Sequence, residues 1–133
     1  MLYSIIVPVY NRPGEVKELL DSLMAQTVKP FELLIIEDGS KERCDHLLGH
    51  YRSFFTIHYH YKENEGRCEA RNYGLQRAGG DYMLFFDSDV ILPPFYFERL
   101  EAAMAASPCD LEPSYMLSMV ILPLTIFIVL FLI

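Results

Sequence analysis

Residues 2–11 read LYSIIVPVYN. From Leu2 to Val9 the run is apolar and rich in β-branched residues, and Pro8 and Asn11 close it. A short apolar run bounded by turn residues fits a strand buried on both faces, as in parallel sheets. The segment lacks a basic leader and a small-residue cleavage site, so it reads as a first strand rather than a signal peptide. Pro13, just beyond it, suits a first helical turn. Val16, Leu19, Leu20, Leu23 and Met24 then recur at i, i+3, i+4, i+7 and i+8, which predicts an amphipathic helix with one apolar stripe.

The alternation continues along the chain. Residues 31–36 form a second apolar run that ends in Glu37-Asp38-Gly39-Ser40. Ser40 is placed to cap a helix carrying Leu47, Leu48 and Tyr51. Residues 54–61 alternate and read as a third strand. Asn64-Glu65-Gly66 reads as a loop, and residues 68–78 as a helix stopped by Gly79-Gly80. Residues 82–86 make a fourth strand, and Pro93-Pro94 opens a last helix over 95–106. The order β-α-β-α-β-α-β predicts an α/β fold with a parallel sheet and flanking helices. Ligands in such sheets sit beyond the carboxyl ends of the strands. Asn11, Asp38, Asp87 and Asp89 all fall at strand ends, so residues distant in sequence are expected to meet on one rim.

Composition narrows the function. The chain has 133 residues, enough for one compact domain. Its net charge is -7 and it has no basic block, which argues against nucleic acid as a partner. A phosphorylated ligand would therefore need positive charge from elsewhere, and a divalent cation is the obvious source. Cys44, Cys68 and Cys109 are odd in number and form no C-x-x-C, so free thiols in a reducing compartment are expected.

The fourth strand carries the chemistry: residues 82–89 read YMLFFDSD. In extended backbone, carboxylates at i and i+2 point to the same side. Held close they repel unless a proton or a cation lies between them. Oxygen donors suit Mg2+ or Mn2+, and Mg2+ commonly uses one or two carboxylates plus substrate phosphates. The alternative is an Asx turn in which Asp87 or Asp89 bonds its own backbone. His46 with His50 and His58 with His60 have metal-pair spacing but no evident third ligand, and structural roles are expected for them.

Four stretches in order, SIIVPVYN (4–11), IEDGS (36–40), NEGRCEARNYG (64–74) and FDSD (86–89), resemble the N-terminal half of family 2 glycosyltransferases with the Rossmann-like GT-A fold. The resemblance covers residues 2–106. It implies a nucleotide-diphospho-sugar donor as partner and Mn2+ or Mg2+ as cofactor. Pro8 and Tyr10, with Asn11 in the same motif, would contact base and ribose, and Asp38 would bond the nucleobase. Arg71 would lie near the nucleotide or its phosphates. Asp87, with Ser88 beside it, would face the ribose or metal, and Asp89 would ligate the metal. The implied reaction is metal-dependent sugar transfer to an acceptor hydroxyl on a glycan, lipid or protein, with inversion.

Such a transfer needs a carboxylate base for the acceptor proton. Glu98, Glu101, Asp110 and Glu112 are the acids after Asp89, none matches the family's base position, and no base is assigned. The chain divides into a donor-binding domain, 1–110, and a hydrophobic tail, 111–133. Residues 115–133 carry no charge. As a helix they would span roughly 28 Å, against a bilayer core of about 30 Å. Three readings compete for the tail: an anchor holding a cytoplasmic domain at a membrane face, the product of a frameshift or truncation, or a core segment of an incomplete domain. A truncated, non-catalytic module that binds nucleotide or membrane is accordingly the second functional expectation.

Overall fold

The computed structural model describes residues 2–106 together with Phe131 and Leu132. Strands β1 (Tyr3–Val9), β2 (Phe31–Asp38), β3 (Thr56–Lys62) and β4 (Tyr82–Phe85) alternate with helices α1 (Pro13–Met24), α2 (Leu48–Tyr51), α3 (Arg67–Leu75) and α4 (Tyr96–Ala106). A two-residue strand, β5 (Phe131–Leu132), completes a sheet of order β3-β2-β1-β4-β5. The pairing is parallel from β3 through β4. The β1–β2 register runs from Tyr3↔Phe31 to Val9↔Glu37, and β2–β3 from Glu32↔Thr56 to Asp38↔Lys62. β4 joins the other side of β1, Tyr3↔Tyr82 to Ile6↔Phe85. The chain thus runs outward through β2 and β3 and then crosses back over β1. That reversal puts a topological switch point, where open α/β sheets leave a crevice, between β1 and β4.

Successive side chains on a strand face opposite ways, and both faces are covered. Tyr3, Ile5, Val7 and Val9 join Phe31, Leu33 and Ile35 in a core that includes the α1 stripe Val16, Leu19, Leu20 and Leu23, and Phe97 and Leu100 of α4. Ile6, Leu34, Ile36 and Met83 pack on the other face with Ala70 of α3. The α3 approach is close because Gly74 has no side chain: a Cβ there would lie 2.6 Å from Ile6 Cγ2. Gln26 ties the two ends of the fold together. It is buried, donates to the Pro93 carbonyl at 2.8 Å, and accepts from Phe97 N–H at 3.3 Å. This fixes the segment that leaves β4 and enters α4.

Three sequence expectations change. The helix expected after Ser40 shrinks to a 3-10 turn, Asp45–Leu47, and the single turn α2. Ser40 does not cap it, because its hydroxyl accepts from Asn11 N–H at 2.8 Å. The third strand begins at Thr56, since Phe54 and Phe55 close a turn on the Tyr51 carbonyl. The helix expected over 68–78 ends at Leu75, where the last N–H groups switch to carbonyls three residues back.

Residues 107–130, and with them the 110/111 division and most of the expected apolar helix, lie outside the described residues. Its end departs from helix: Phe131 and Leu132 pair antiparallel with Met83 and Tyr82, along the otherwise unpaired edge of β4. Among the described residues no helix is long and apolar enough to cross a membrane.

Candidate functional site

The ends of β1, β2 and β4 border a cleft of about 490 Å3 at the switch point, within the common range for small-molecule sites. Pro8, Val9 and Tyr10 form one wall, and Asp38 and Asn64 the next. Asp87, Ser88 and Asp89 form the third, and Arg12, Gly66 and Arg67 complete the lining. Asp38, Asp87 and Asp89 therefore meet, as the strand-end reading expected, and residues 8–10 join them. Tyr10 is half exposed, which leaves its ring free at the mouth.

Asn11 sits just outside the lining and builds the rim. It takes a left-handed backbone, φ 51°, which asparagine tolerates better than most residues. Its side-chain oxygen accepts from the N–H groups of Lys41 at 2.7 Å and Glu42 at 3.0 Å. With the Ser40 contact, this clamps the exit of β1 to the exit of β2.

Asp38 is buried at the end of β2, and its carboxylate organises the 63–66 loop. Oδ1 accepts from Glu65 N–H at 3.0 Å and from Lys62 Nζ at 3.2 Å, and Oδ2 accepts from Gly66 N–H at 3.0 Å. Burial alone would lower the Lys62 pKa, but the bonds to Asp38 and Glu65 outweigh it and raise the ammonium above its ordinary value. The loop runs close to Gly39, whose φ of 76° and contact with Asn64 leave no room for a Cβ. A neighbouring acid, Glu37, is fully buried and points away from the cleft. It accepts from Cys44 N–H at 3.0 Å and Tyr59 O–H at 2.8 Å, and burial pushes the Cys44 thiol well above its usual range.

Asp87 and Asp89 do not lie in extended backbone. Val90 N–H donates to the Asp87 carbonyl at 3.2 Å and closes a turn over residues 87–90. The expected same-side projection of a strand therefore does not apply. The turn is closed by backbone and not by an Asx bond, which leaves both carboxylates exposed toward the cleft. Asp87 Oδ1 receives Arg71 Nη2 at 3.2 Å, and Arg67 Nη1 lies 4.0 Å away. Arg71 reaches the site through Asp87 rather than by lining the cleft itself.

Among the described residues no group of three or more His, Cys, Asp or Glu could hold a metal. The donor set of Asp87 and Asp89 still fits Mg2+ or Mn2+, which complete their shells with phosphate and water oxygens. Three of the four histidines are engaged elsewhere. His58 bonds Glu32 at 3.1 Å, His60 packs edge-on against Tyr73, and His50 packs against Tyr51 and Phe54.

Sequence reasoning missed Lys62, Arg67 and Arg12. Arg67 was detectable, since it stands four residues before Arg71 and shares its helix face. Lys62 was not, because its place opposite Asp38 depends on the β2–β3 register.

Comparison with known proteins matches this arrangement. The sequence pattern described as Glycosyl transferase family 2 spans residues 4–112. An uncharacterized glycosyltransferase of Rickettsia felis is 42% identical over 98 residues, which is 74% of this chain and 16% of that protein. One from Haemophilus influenzae is 38% identical over 107 residues, 80% of this chain and 36% of that one. The crystal structure of S. aureus TarS 1-349 in complex with UDP-GlcNAc superposes with a TM-score of 0.74 at 29% identity, covering 80% of this chain and 32% of that one. The chain thus spans well under half the length of each. The parallel sheet with flanking helices is the GT-A-like arrangement, and the chain belongs to glycosyl transferase family 2.

Proposed function

We propose that the cleft binds a nucleotide-diphospho-sugar together with a divalent cation, as the donor-binding part of a glycosyltransferase. The observation that carries this reading is the convergence of Asp38, Asp87 and Asp89 with the Pro8–Tyr10 wall on one cleft at the switch point. Tyr10 and Pro8 offer a flat apolar face to the base and ribose. Asp38 has roughly four acceptor positions, and Lys62, Glu65 N–H and Gly66 N–H occupy three of them. The remaining position, on Oδ2, suits a nucleobase N–H. Asn11 acts by holding the β1 exit in place, and Ser88, buried between the two aspartates, lines the cleft.

Asp87 and Asp89 would hold Mn2+ or Mg2+, which when bound supplies positive charge that stabilises a diphosphate leaving group. Arg71 would lie toward the phosphates. The sugar passes to an acceptor hydroxyl on a glycan, lipid or protein, with inversion at the anomeric carbon. The uncharged run over 115–133 is the feature that favours membrane association, for which its Phe131–Leu132 end would have to leave β4. Carbonate-resistant membrane association that is lost on deletion of residues 115–133 would test that.

A second reading, a nucleotide-binding module without turnover, is favoured by the supply of acids. Among the described residues the carboxylates lining the cleft are those already given to the donor, and Glu98 is bonded to Thr27 at 2.9 Å. Release of free sugar from UDP- and GDP-linked donors, measured with and without Mn2+ and with an acceptor panel, separates the two. Metal-dependent turnover supports the enzyme, and metal-dependent binding without turnover supports the module. Absence of binding under every condition would refute both.

A further inference from the structure

Arg67 and Arg71 stand at i and i+4 on α3, so both guanidiniums lie on one helix face. Both converge on the same atom, Asp87 Oδ1, at 4.0 and 3.2 Å. Arg67 lines the cleft beside Asp87, and its side chain is 66% exposed. Arg71 Nε is buried without a hydrogen-bond partner, so its guanidinium is not satisfied by Asp87.

Charge counting gives this cluster a role. Asp38 is neutralised by Lys62. A divalent cation held by Asp87 and Asp89 would be balanced by those two carboxylates. A diphosphate beside it would still carry uncompensated negative charge in a cleft walled by acids. The two guanidiniums on α3, with Arg12 of the cleft lining, are the sources of compensation, and the α3 pair becomes available only once Asp87 no longer occupies it. Exposed ion pairs are weak, so a divalent cation competes well for Asp87. Guanidiniums bond phosphate oxygens through fixed, paired N–H donors.

We propose that Arg67 is a diphosphate-binding residue held in reserve by Asp87, and that Asp87 exchanges its guanidiniums for a divalent cation as the diphosphate takes them up. This rests on the donor-site reading above and adds a residue and a coupling to it. Arg67 and the cation thus oppose each other at Asp87 when the diphosphate is absent and cooperate when it is present.

The test compares the unsubstituted chain with Arg67→Gln and Arg67→Lys. Mn2+ binding alone is read from the electron paramagnetic resonance signal of free Mn2+, and UDP, GDP and uridine binding are read by calorimetry with and without Mn2+. Arg67→Gln should tighten Mn2+ binding about two- to fivefold, the strength of an exposed pair. It should weaken diphosphate binding about tenfold, as expected for loss of a charge-assisted bond, and leave uridine binding unchanged. Arg67→Lys should recover part of the diphosphate loss. A folding defect would lower Mn2+ and uridine binding together, an outcome counted against the proposal. Diphosphate affinity unchanged in Arg67→Gln overturns the Arg67 assignment while leaving the donor site standing. Failure of the unsubstituted chain to bind UDP or GDP with or without Mn2+ overturns both.

Discussion

Lys62, the last residue of β3, lies directly opposite Asp38, the last residue of β2, and its ammonium sits 3.2 Å from Asp38 Oδ1. Both side chains are nearly inaccessible, at 9% and 7% exposure. The pair sets a cation against the acid in the floor of the cleft, while the acid's other lone pairs hold the loop that opens α3. Removing one partner strands the other. Lys62→Met should cost about 1–3 kcal/mol, the usual penalty for a buried acceptor that loses one of its partners, because the Glu65 and Gly66 N–H groups still serve Asp38. Chemical denaturation would read it, and Lys62→Arg should retain more stability than Lys62→Met.

The same pair carries a pH signature. The folded-state pKa of Lys62 is raised, so its stabilisation is fully present below the unfolded lysine value of about 10.4 and fades as pH climbs through the folded value. Thermal unfolding followed upward from neutral pH should show an alkaline loss of stability. That loss should be smaller in Lys62→Met.

At the opposite end of the sheet, Glu32 bridges three elements. It accepts from Ser4 Oγ at 2.7 Å and Gly79 N–H at 2.8 Å, and pairs with His58 at 3.1 Å. Burial alone would raise its pKa, but these bonds outweigh it and leave the carboxyl below its ordinary value. A depressed acid stabilises the fold above its unfolded value of about 4.3 and stops doing so as pH falls through the folded value. Glu32→Gln should be less stable at neutral pH and lose less on acidification to about pH 3. Melting curves across that range would decide it. A slope equal to that of the unsubstituted chain would exclude Glu32 as a contributor.

Gly74 sets how closely α3 lies on the sheet. Gly74→Ala would place a methyl 2.6 Å from Ile6 Cγ2 and 3.3 Å from Ile36 Cγ1. Overpacking of this kind costs about 1–3 kcal/mol. Because α3 carries both guanidiniums, diphosphate binding should weaken along with stability.

Much of the frame was legible in the sequence because its signals are local. The apolar run of β1 and the 3.6-residue stripe on α1 each specify an element without help from the rest of the chain, and alternating order then places Asp38, Asp87 and Asp89 on one rim. What was illegible depends on contacts between distant segments. Ser40 carries a cap signature, yet its hydroxyl serves Asn11, 29 residues earlier in the chain. Lys62 meets Asp38 only through strand register. The turn at 87–90 replaces the strand geometry that a D-x-D pair suggests, because β4 stops at Phe85. The family resemblance supplied the donor chemistry, while the convergence of the α3 guanidiniums on Asp87 emerged only from the placement of that helix.

Asp89 carries the heaviest burden in the proposed site. Asp89→Ala should abolish the Mn2+ dependence of nucleoside diphosphate binding while leaving the melting temperature nearly unchanged, since the side chain is exposed. Calorimetry in the presence and absence of Mn2+ would measure this.

The most direct measurement is anomalous diffraction at the manganese edge from a crystal soaked with Mn2+ and UDP or GDP. The expected result is a manganese peak about 2.1 Å from a carboxylate oxygen of Asp89, with a phosphate oxygen on its far side. Asp87 should be drawn from the guanidiniums to the ion. A nucleotide seated elsewhere, or a cleft with no manganese and both carboxylates turned to solvent, would contradict the account.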